Sequence, residues 1–334
     1  MAAMIEITME SGDVLEVRSD VLALKYAQAL HGADRAVFNR LMPRLGDDFQ
    51  SLPKKGHFTL HSTRGLISPA AVLFVGVSPL REFGYRQIRD FGHEILTSLA
   101  GAAPDCEIIT STIHGPGYGL DEREAFASQL AGIVDAVISG DRPRLLKRIA
   151  FVERNTGRAM RLKELLNDLL PNGSITREDL SFIRSPGSAS KEILRSAGYE
   201  SASKPNIFVA MPFVESMDDI FYYGIQGAVS AAGFLCERAD LSSFTGDVMD
   251  WVKRRIATAS LVIADLSTAN PNVYLEVGYA WGCGKPTVLV AKDKADLKFD
   301  VKNQRCLLYR SIRHLEEILA KELRGLSASP PAIR

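Results

Sequence analysis

The chain has 334 residues, 46% of them hydrophobic, which is long enough for two domains with sizeable cores. Its 40 basic and 40 acidic residues cancel, which argues against a broad nucleic-acid-binding surface and leaves room only for a local basic patch. The four cysteines, Cys106, Cys236, Cys283 and Cys306, follow no CxxC or Cys/His spacing, so free thiols in a reducing cytoplasm are expected rather than a disulfide framework or a zinc site.

The opening MAAMIEITMESGD carries acids and no Lys or Arg, unlike a signal peptide, and no later stretch reaches the length of a membrane span. MIEITMESGDVLEVRSDVLALKYAQ predicts two or three strands broken at Ser11–Asp13 and Ser19–Asp20. AAVLFVGV (70–77), CEIITSTI (106–113) and RIAFVE (148–153) predict further strands. Between them, residues 83–100 place Ile88, Phe91, Ile95 and Leu99 on one helical stripe. LDEREAFASQLAGIVDAVISG and GRAMRLKELLNDLL predict two more helices. These elements assign residues 1–170 to a first α/β domain and 171–204 to a linker, and the stretch Arg184–Asn206, RSPGSASKEILRSAGYESASKPN, is rich in Ser, Gly, Ala and Pro.

From residue 205 to 334 the alternation is cleaner. NIFVAM (206–211) is an apolar strand closed by Pro212. A helix over 216–232 follows, with Ser216 as N-cap and Gly233 as its stop. FLCER, LVIADL, PTVLV and RCLLY predict four more strands, separated by TGDVMDWVKRRIATA, by a helix from Pro271, and closed by a helix from about Ile312. Such alternation predicts a parallel sheet covered on both faces, hence a three-layer α/β domain. Trp251 and Trp281 fall within helical stripes and are expected in the core.

Glu276 is the residue that needs explaining. Asn270 and Pro271 form a favoured helix start. On a 3.6-residue period Val273, Val277, Ala280 and Gly284 make an apolar stripe, and Glu276 lies at its edge, one turn after Asn272. Asp265 ends the preceding strand. Ligands of parallel sheets sit beyond the carboxyl ends of the strands, so Asp265, Asn270, Asn272 and Glu276 are expected around one crevice. Spacing alone leaves a solvated surface charge equally open. Met211, Pro212 and Phe213 at one strand end, with Arg238, Asp240 and Asp247 after another, favour a nucleotide pocket.

FVAMPF and LVIADLSTANPNVYLEVGYAWGCGKPTVLV resemble the nucleoside 2-deoxyribosyltransferase family and its TIR-like relatives over residues 205–325. The resemblance implies a flavodoxin-like parallel sheet and cleavage of the N-glycosidic bond of a nucleoside, nucleotide or NAD. Glu276 then corresponds to the catalytic glutamate, with Asp265 and Asn272 facing the ligand and Met211–Phe213 over the sugar or base. The chemistry suits a carboxylate, which can stabilise or attack an oxocarbenium-like C1′. A purine leaving group needs a proton, from Asp240 or Asp247, whereas nicotinamide does not. NAD is a substrate here, and no cofactor or metal is required. Phe213 stands where the transferases often have tyrosine, which favours the TIR-like branch.

In the first domain ESGDVLEVRSDVLALKYAQALHGADRAV and HGPGYG resemble macro domains. That likeness places Asp13 at an adenine and Gly115, Gly117, Tyr118 and Gly119 at a diphosphate, with an ADP-ribose-like or cyclic nucleotide as activator. The asparagine-rich stretch of ADP-ribose-cleaving macro domains is absent, so binding rather than hydrolysis is expected of this half. The combination resembles bacterial anti-phage immune effectors and implies a self-associating NAD hydrolase. The alternatives are a non-catalytic nucleotide-binding scaffold, and a deoxyribonucleoside 5′-monophosphate N-glycosidase or deoxyribosyltransferase.

Overall fold

The computed structural model describes residues 4–49, 51–175, 189–238 and 248–327. The chain divides into two compact units. One comprises Met1–Pro116 with Glu122–Ala202, the other Gly117–Asp121 with Ser203–Arg334.

The first unit is built on a seven-stranded sheet of β1 (Ile5–Ser11), β2 (Val21–Tyr26), β3 (Phe58–Ser62), β4 (Ala71–Gly76), β5 (Ile108–Ser111), β6 (Arg148–Glu153) and β7 (Ser174–Ile175), in the order β3-β4-β2-β5-β6-β1-β7. Its five central strands run parallel, and β3 and β7 close the edges antiparallel. Side chains alternate across a strand, so each strand supplies two cores. Leu22, Leu24, Val72, Phe74 and Val152 pack on α1 (Ala33–Leu45) through Val37 and Leu41. Phe151, one residue from Val152, meets Phe126 of α3 (Glu122–Ser139) on the other face, with ring centroids 5.1 Å apart. Helix α2 (Tyr85–Ala102) buries the expected Ile88, Phe91, Ile95 and Leu99. It crosses α3 at Gly92 and Gly132. A Cβ on Gly132 would lie 1.9 Å from the Arg89 carbonyl oxygen, and one on Gly92 2.2 Å from that of Gln129.

Helices α4 (Thr156–Leu169) and α5 (Ala189–Ser196) complete this unit. The buried Arg89 guanidinium grips Asp135 with two hydrogen bonds of 2.7 and 3.0 Å. Its Nη1 donates to the carbonyls of Leu194, Arg195 and Ala197, which serves the orphan acceptors at the end of α5. Neither α1 nor β3 was legible in the sequence. Helix α1 carries Pro43 in its last turn, and β3 is a five-residue edge strand.

The second unit holds a five-stranded, wholly parallel sheet of β8 (Asn206–Ala210), β9 (Leu235–Glu237), β10 (Leu261–Asp265), β11 (Thr287–Ala291) and β12 (Cys306–Leu308). The order is β12-β11-β10-β8-β9. Numbered along the unit, this is the 2-1-3-4-5 arrangement of flavodoxin-like sheets. Ile207, Val209, Ile263 and Val290 share one core with Leu315, Leu319 and Leu323 of α9 (Ile312–Ser327). Phe208, Ala210, Val262, Ala264 and Leu289 share the other with Val252 and Ile256 of α7 (Val248–Thr258) and Val273 and Val277 of α8 (Pro271–Gly282). Both units are therefore three-layer α/β structures, as expected.

Two local expectations are corrected. The segment after β8 is not one α-helix capped by Ser216. It runs through a 3-10 turn, Glu215–Met217, and a π-helical stretch, Ile220–Gln226, before α6 (Gly227–Ala231). This stretch lies so close to α9 that a Cβ on Gly224 would sit 2.9 Å from Leu315 Cδ2, so packing rather than capping sets its winding. Trp281 is not a core residue but 39% exposed on α8, because the stripe of Val273, Val277 and Ala280 turns the next side chain outward.

Candidate active site

In the second unit β8 connects to β9 on one side of the sheet and β9 returns to β10 on the other. The strand order therefore reverses between β8 and β10, and the loops beyond their carboxyl ends splay apart. This is where ligands of open α/β sheets bind. Met211, Pro212 and Phe213 leave β8 at that point, and residues 266–270 leave β10.

Asn270 has extended backbone and its Oδ1 accepts from Asn272 N at 2.9 Å, with Pro271 at the first helical position. The expected start of α8 is thus the observed one. Just before it, Ala269 adopts φ 48°, which only a tightly specified loop holds in a residue with a Cβ. Glu276 follows in the second turn, half-buried at the edge of the Val273–Val277 stripe. Among the described residues it has no hydrogen-bond or ion-pair partner. Burial alone pushes its carboxyl up to about 7. A surface glutamate would be solvated and acidic; this one is poised to change charge near neutrality. The side chain of Asn272 is exposed beside the helix start.

Asp265 has a different environment. Its carboxylate is 1% exposed. Oδ1 accepts from Ser267 N at 2.9 Å and Oδ2 from the Tyr309 hydroxyl at 2.8 Å. Ser267 Oγ lies 3.1 Å from that hydroxyl and accepts from Lys292 N at 2.9 Å. Burial raises the Asp265 pKa, and the Ser267 and Tyr309 hydrogen bonds oppose the rise. This network ties the loop after β10 to the ends of β11 and β12. Asp265→Ala should cost about 1–3 kcal/mol by removing the acceptor of the part-buried Ser267 N–H and the shorter of the hydrogen bonds at the Tyr309 hydroxyl. Urea unfolding of the variant measures it, and a loss under about 0.5 kcal/mol would mean that the loop is held without this carboxylate.

On the other flank Arg238, the residue after β9, has its guanidinium 4.1 Å from the Phe221 ring centroid, 5.1 Å from Phe213 and 5.6 Å from Tyr222. Nη2 donates to Asp218 Oδ1 at 3.2 Å, and Nη1 lies 3.9 Å from Met211 Sδ. The structure joins Met211, Phe213 and Arg238. It adds Asp218, which follows the 3-10 turn, and Phe221 and Tyr222 from the π-helical stretch. Asp240 and Asp247 lie outside the described residues.

In the first unit, Asp13 is engaged by the protein itself. Oδ1 accepts from Leu15 N at 3.0 Å and Oδ2 from Arg154 Nη2 at 2.5 Å. Gly115 has φ 118° in the first unit, and Gly119 φ 80°. Gly117, Tyr118 and Gly119 belong to the second unit, where a Cβ on Gly119 would lie 2.3 Å from the Trp251 ring.

A buried polar group in the first unit was missed. Lys25, at the end of β2, is 1% exposed, and Asp34 in the first turn of α1 is also buried. Burial lowers the Lys25 pKa against the pull of Asp34, and raises that of Asp34 against the pull of Lys25. Asp34 Oδ1 accepts from His31 N at 3.0 Å, while its Oδ2 is buried without a hydrogen-bond partner among the described residues. Burial, then Lys25 and Arg35, push His31 down to about 4, and burial and Lys25 push His114 well below its usual range. The signal available in the sequence was a lysine inside the apolar run VLALKY.

No protein-family profile matches the chain, and no curated protein matches it. Among solved structures it is similar to the Oceanobacillus iheyensis macrodomain, with 15% identity over 51% of this chain and 99% of that one and a TM-score of 0.40. It is also similar to the Trypanosoma brucei macrodomain in complex with ADP, with 15% identity over 48% and 68% of the two chains and a TM-score of 0.37. A third likeness is to the macro domain of ganglioside induced differentiation associated protein 2, with 13% identity over 50% and 84% and a TM-score of 0.38.

Proposed function

We propose that the second unit is a nucleotide N-glycosidase, with NAD the first candidate substrate. The first unit is a nucleotide-sensing module that controls it, and the protein serves bacterial antiviral defence. The observation that carries the enzymatic reading is Glu276, a desolvated carboxyl without a partner among the described residues, in the second turn of the helix that follows the switch point of a 2-1-3-4-5 sheet.

The step it suits is heterolysis of the C1′–N bond. The bonding pair leaves with the base, and C1′ becomes oxocarbenium-like. The Glu276 carboxylate lies against or bonds to C1′, and water then takes the sugar. Nicotinamide leaves as a neutral molecule without a proton. A purine would draw one from an acid, for which Asp240 and Asp247 remain the candidates. Asp265 holds the loop after β10 in place through Ser267 and Tyr309.

The test is incubation of the full chain with NAD and a panel of ribo- and deoxyribonucleotides, with and without ADP-ribose, read by mass spectrometry for free base. Release of no base from any of them leaves the chain as a binding module. Because the C1′ role needs the ionised carboxyl, kcat/KM should rise with pH through about 7. A fall over that range would instead assign Glu276 the role of proton donor.

A further inference from the structure

The first unit has a cleft that the N-glycosidase reading leaves without a use. It lies beside the crossing of α2 and α3 and measures about 510 Å³. That is within the span of small-molecule sites, about 300–1000 Å³. Its walls come from α2, from α3 and from Tyr199 after α5, and from no strand or strand-end loop. It is therefore not part of a crevice at the carboxyl ends of the sheet, and its lining has to be explained by itself.

That lining is short of positive charge. It holds three carboxylates, Asp90, Glu94 and Asp135, against one guanidinium, that of Arg89. Arg89 is taken up by Asp135 and by the carbonyls of Leu194, Arg195 and Ala197. Asp90 meets Arg86, which is outside the cleft, at 3.0 Å. Glu94 is half-buried and has no hydrogen-bond or ion-pair partner among the described residues. Burial raises its carboxyl pKa, and the charge of Asp90 one turn earlier raises it further. A solvated acidic face would relieve both effects with water; a walled cleft leaves them to a ligand.

The spacing of the carboxylates decides which cation fits. A divalent metal gathers its oxygens at about 2–2.6 Å around one point. Among the described residues no three His, Cys, Asp or Glu side chains converge in that way. Carboxylates spread along a cleft suit separate positive charges held apart by an apolar spacer, and Ile138 and the Tyr199 ring supply an apolar wall. Tyr199 is held in place: its centroid is 3.8 Å from the Arg89 guanidinium and 4.5 Å from that of Arg86, and its hydroxyl donates to Asp135 Oδ2 at 3.4 Å. We propose that this cleft binds an aliphatic polyamine, with one ammonium on Glu94, another on the remaining acceptor capacity of Asp135, and the methylene chain along Ile138 and Tyr199. The inference neither rests on the N-glycosidase reading nor uses its residues.

The test is calorimetric titration of the full chain with spermidine and with butylamine at one ionic strength. Spermidine should bind at a single site and be preferred over the monoamine by about 10-fold or more, the worth of one further charge-assisted contact. Glu94→Gln should lower spermidine affinity by about 10-fold. It keeps the side chain's shape and removes a like-charge neighbour of Asp90, so the helix is not weakened. Glu317→Gln, which removes an exposed carboxylate on α9, should leave the affinity unchanged. Equal binding of the two amines, affinity that survives in Glu94→Gln, or the same loss in Glu317→Gln overturns the inference.

A second arm locates the site. Spermidine should slow amide hydrogen exchange over residues 86–97 and 132–139 in the wild-type chain and not in Glu94→Gln. Magnesium at the same ionic strength should not reproduce that protection; if it does, the effect is one of diffuse cations and the inference falls. Protection by an arginine-rich peptide with none from spermidine also overturns it and gives the cleft to a protein partner. No readout here involves base release, so failure of this inference and failure of the enzymatic reading are told apart.

Discussion

Glu276→Gln should lower base release by about 1000-fold or more, because the amide keeps the shape of the side chain and can neither stabilise C1′ as an anion nor attack it. The same variant should be more stable than the wild type above neutral pH, which separates a catalytic loss from a folding defect. The folded-state pKa is raised to about 7, while the unfolded value is about 4.3. A raised carboxyl pKa means that the folded state binds the proton more tightly. Its contribution to stability is complete below about pH 4.3 and is lost as pH rises through about 7. At pH 8 the wild type carries an ionised, partly desolvated carboxylate, and glutamine removes a cost of about 2 kcal/mol, discounted for the side chain's partial exposure. Thermal melts of both proteins at pH 5 and pH 8 read this. A Gln variant that melts lower than the wild type at pH 8 would mean that Glu276 makes a stabilising contact when charged.

Gly132→Ala should unfold the first unit or weaken it by about 3 kcal/mol or more, one of the largest single-methyl effects in the chain. Added to Gly132, a Cβ would lie 1.9 Å from the Arg89 carbonyl oxygen and 2.8 Å from the His93 nitrogen. Both are backbone atoms of α2 and cannot rotate away, so the helices must separate. Separation would loosen the buried Arg89–Asp135 pair and the carbonyls of α5 that Arg89 serves. Gly101→Ala on α2, where a Cβ meets nothing within 4 Å, should be neutral or slightly stabilising. Urea unfolding of the two variants provides the comparison. Equal stability would show that α2 and α3 can move apart at little cost.

Particular elements show how much could be read before the structure. The stripe of Ile88, Phe91, Ile95 and Leu99 is local, repeats at the helical period, and is buried as that period requires. The Asn270–Pro271 start of α8 is also local, because a cap is chemistry between neighbours, and it is found where expected. Edge strand β3 gave too short a pattern to separate from a loop. Trp281 sat in a plausible helical stripe and faces outward, since a helix wheel gives angles and not which face meets the sheet.

By itself the sequence determined the alternation of strands and helices, the two α/β parts, and the place of Glu276 on the edge of an apolar stripe, because these follow from backbone periods and side-chain chemistry within a few residues. Only the tertiary structure decided the β12-β11-β10-β8-β9 order, the closure of Tyr309 on Asp265 from 44 residues away, the ring of Phe213, Phe221 and Tyr222 around Arg238, and the burial of Lys25 with Asp34. Each of these joins groups distant along the chain, and burial, which sets whether a carboxyl is solvated or poised near neutrality, is a property of what packs around a residue rather than of the residue.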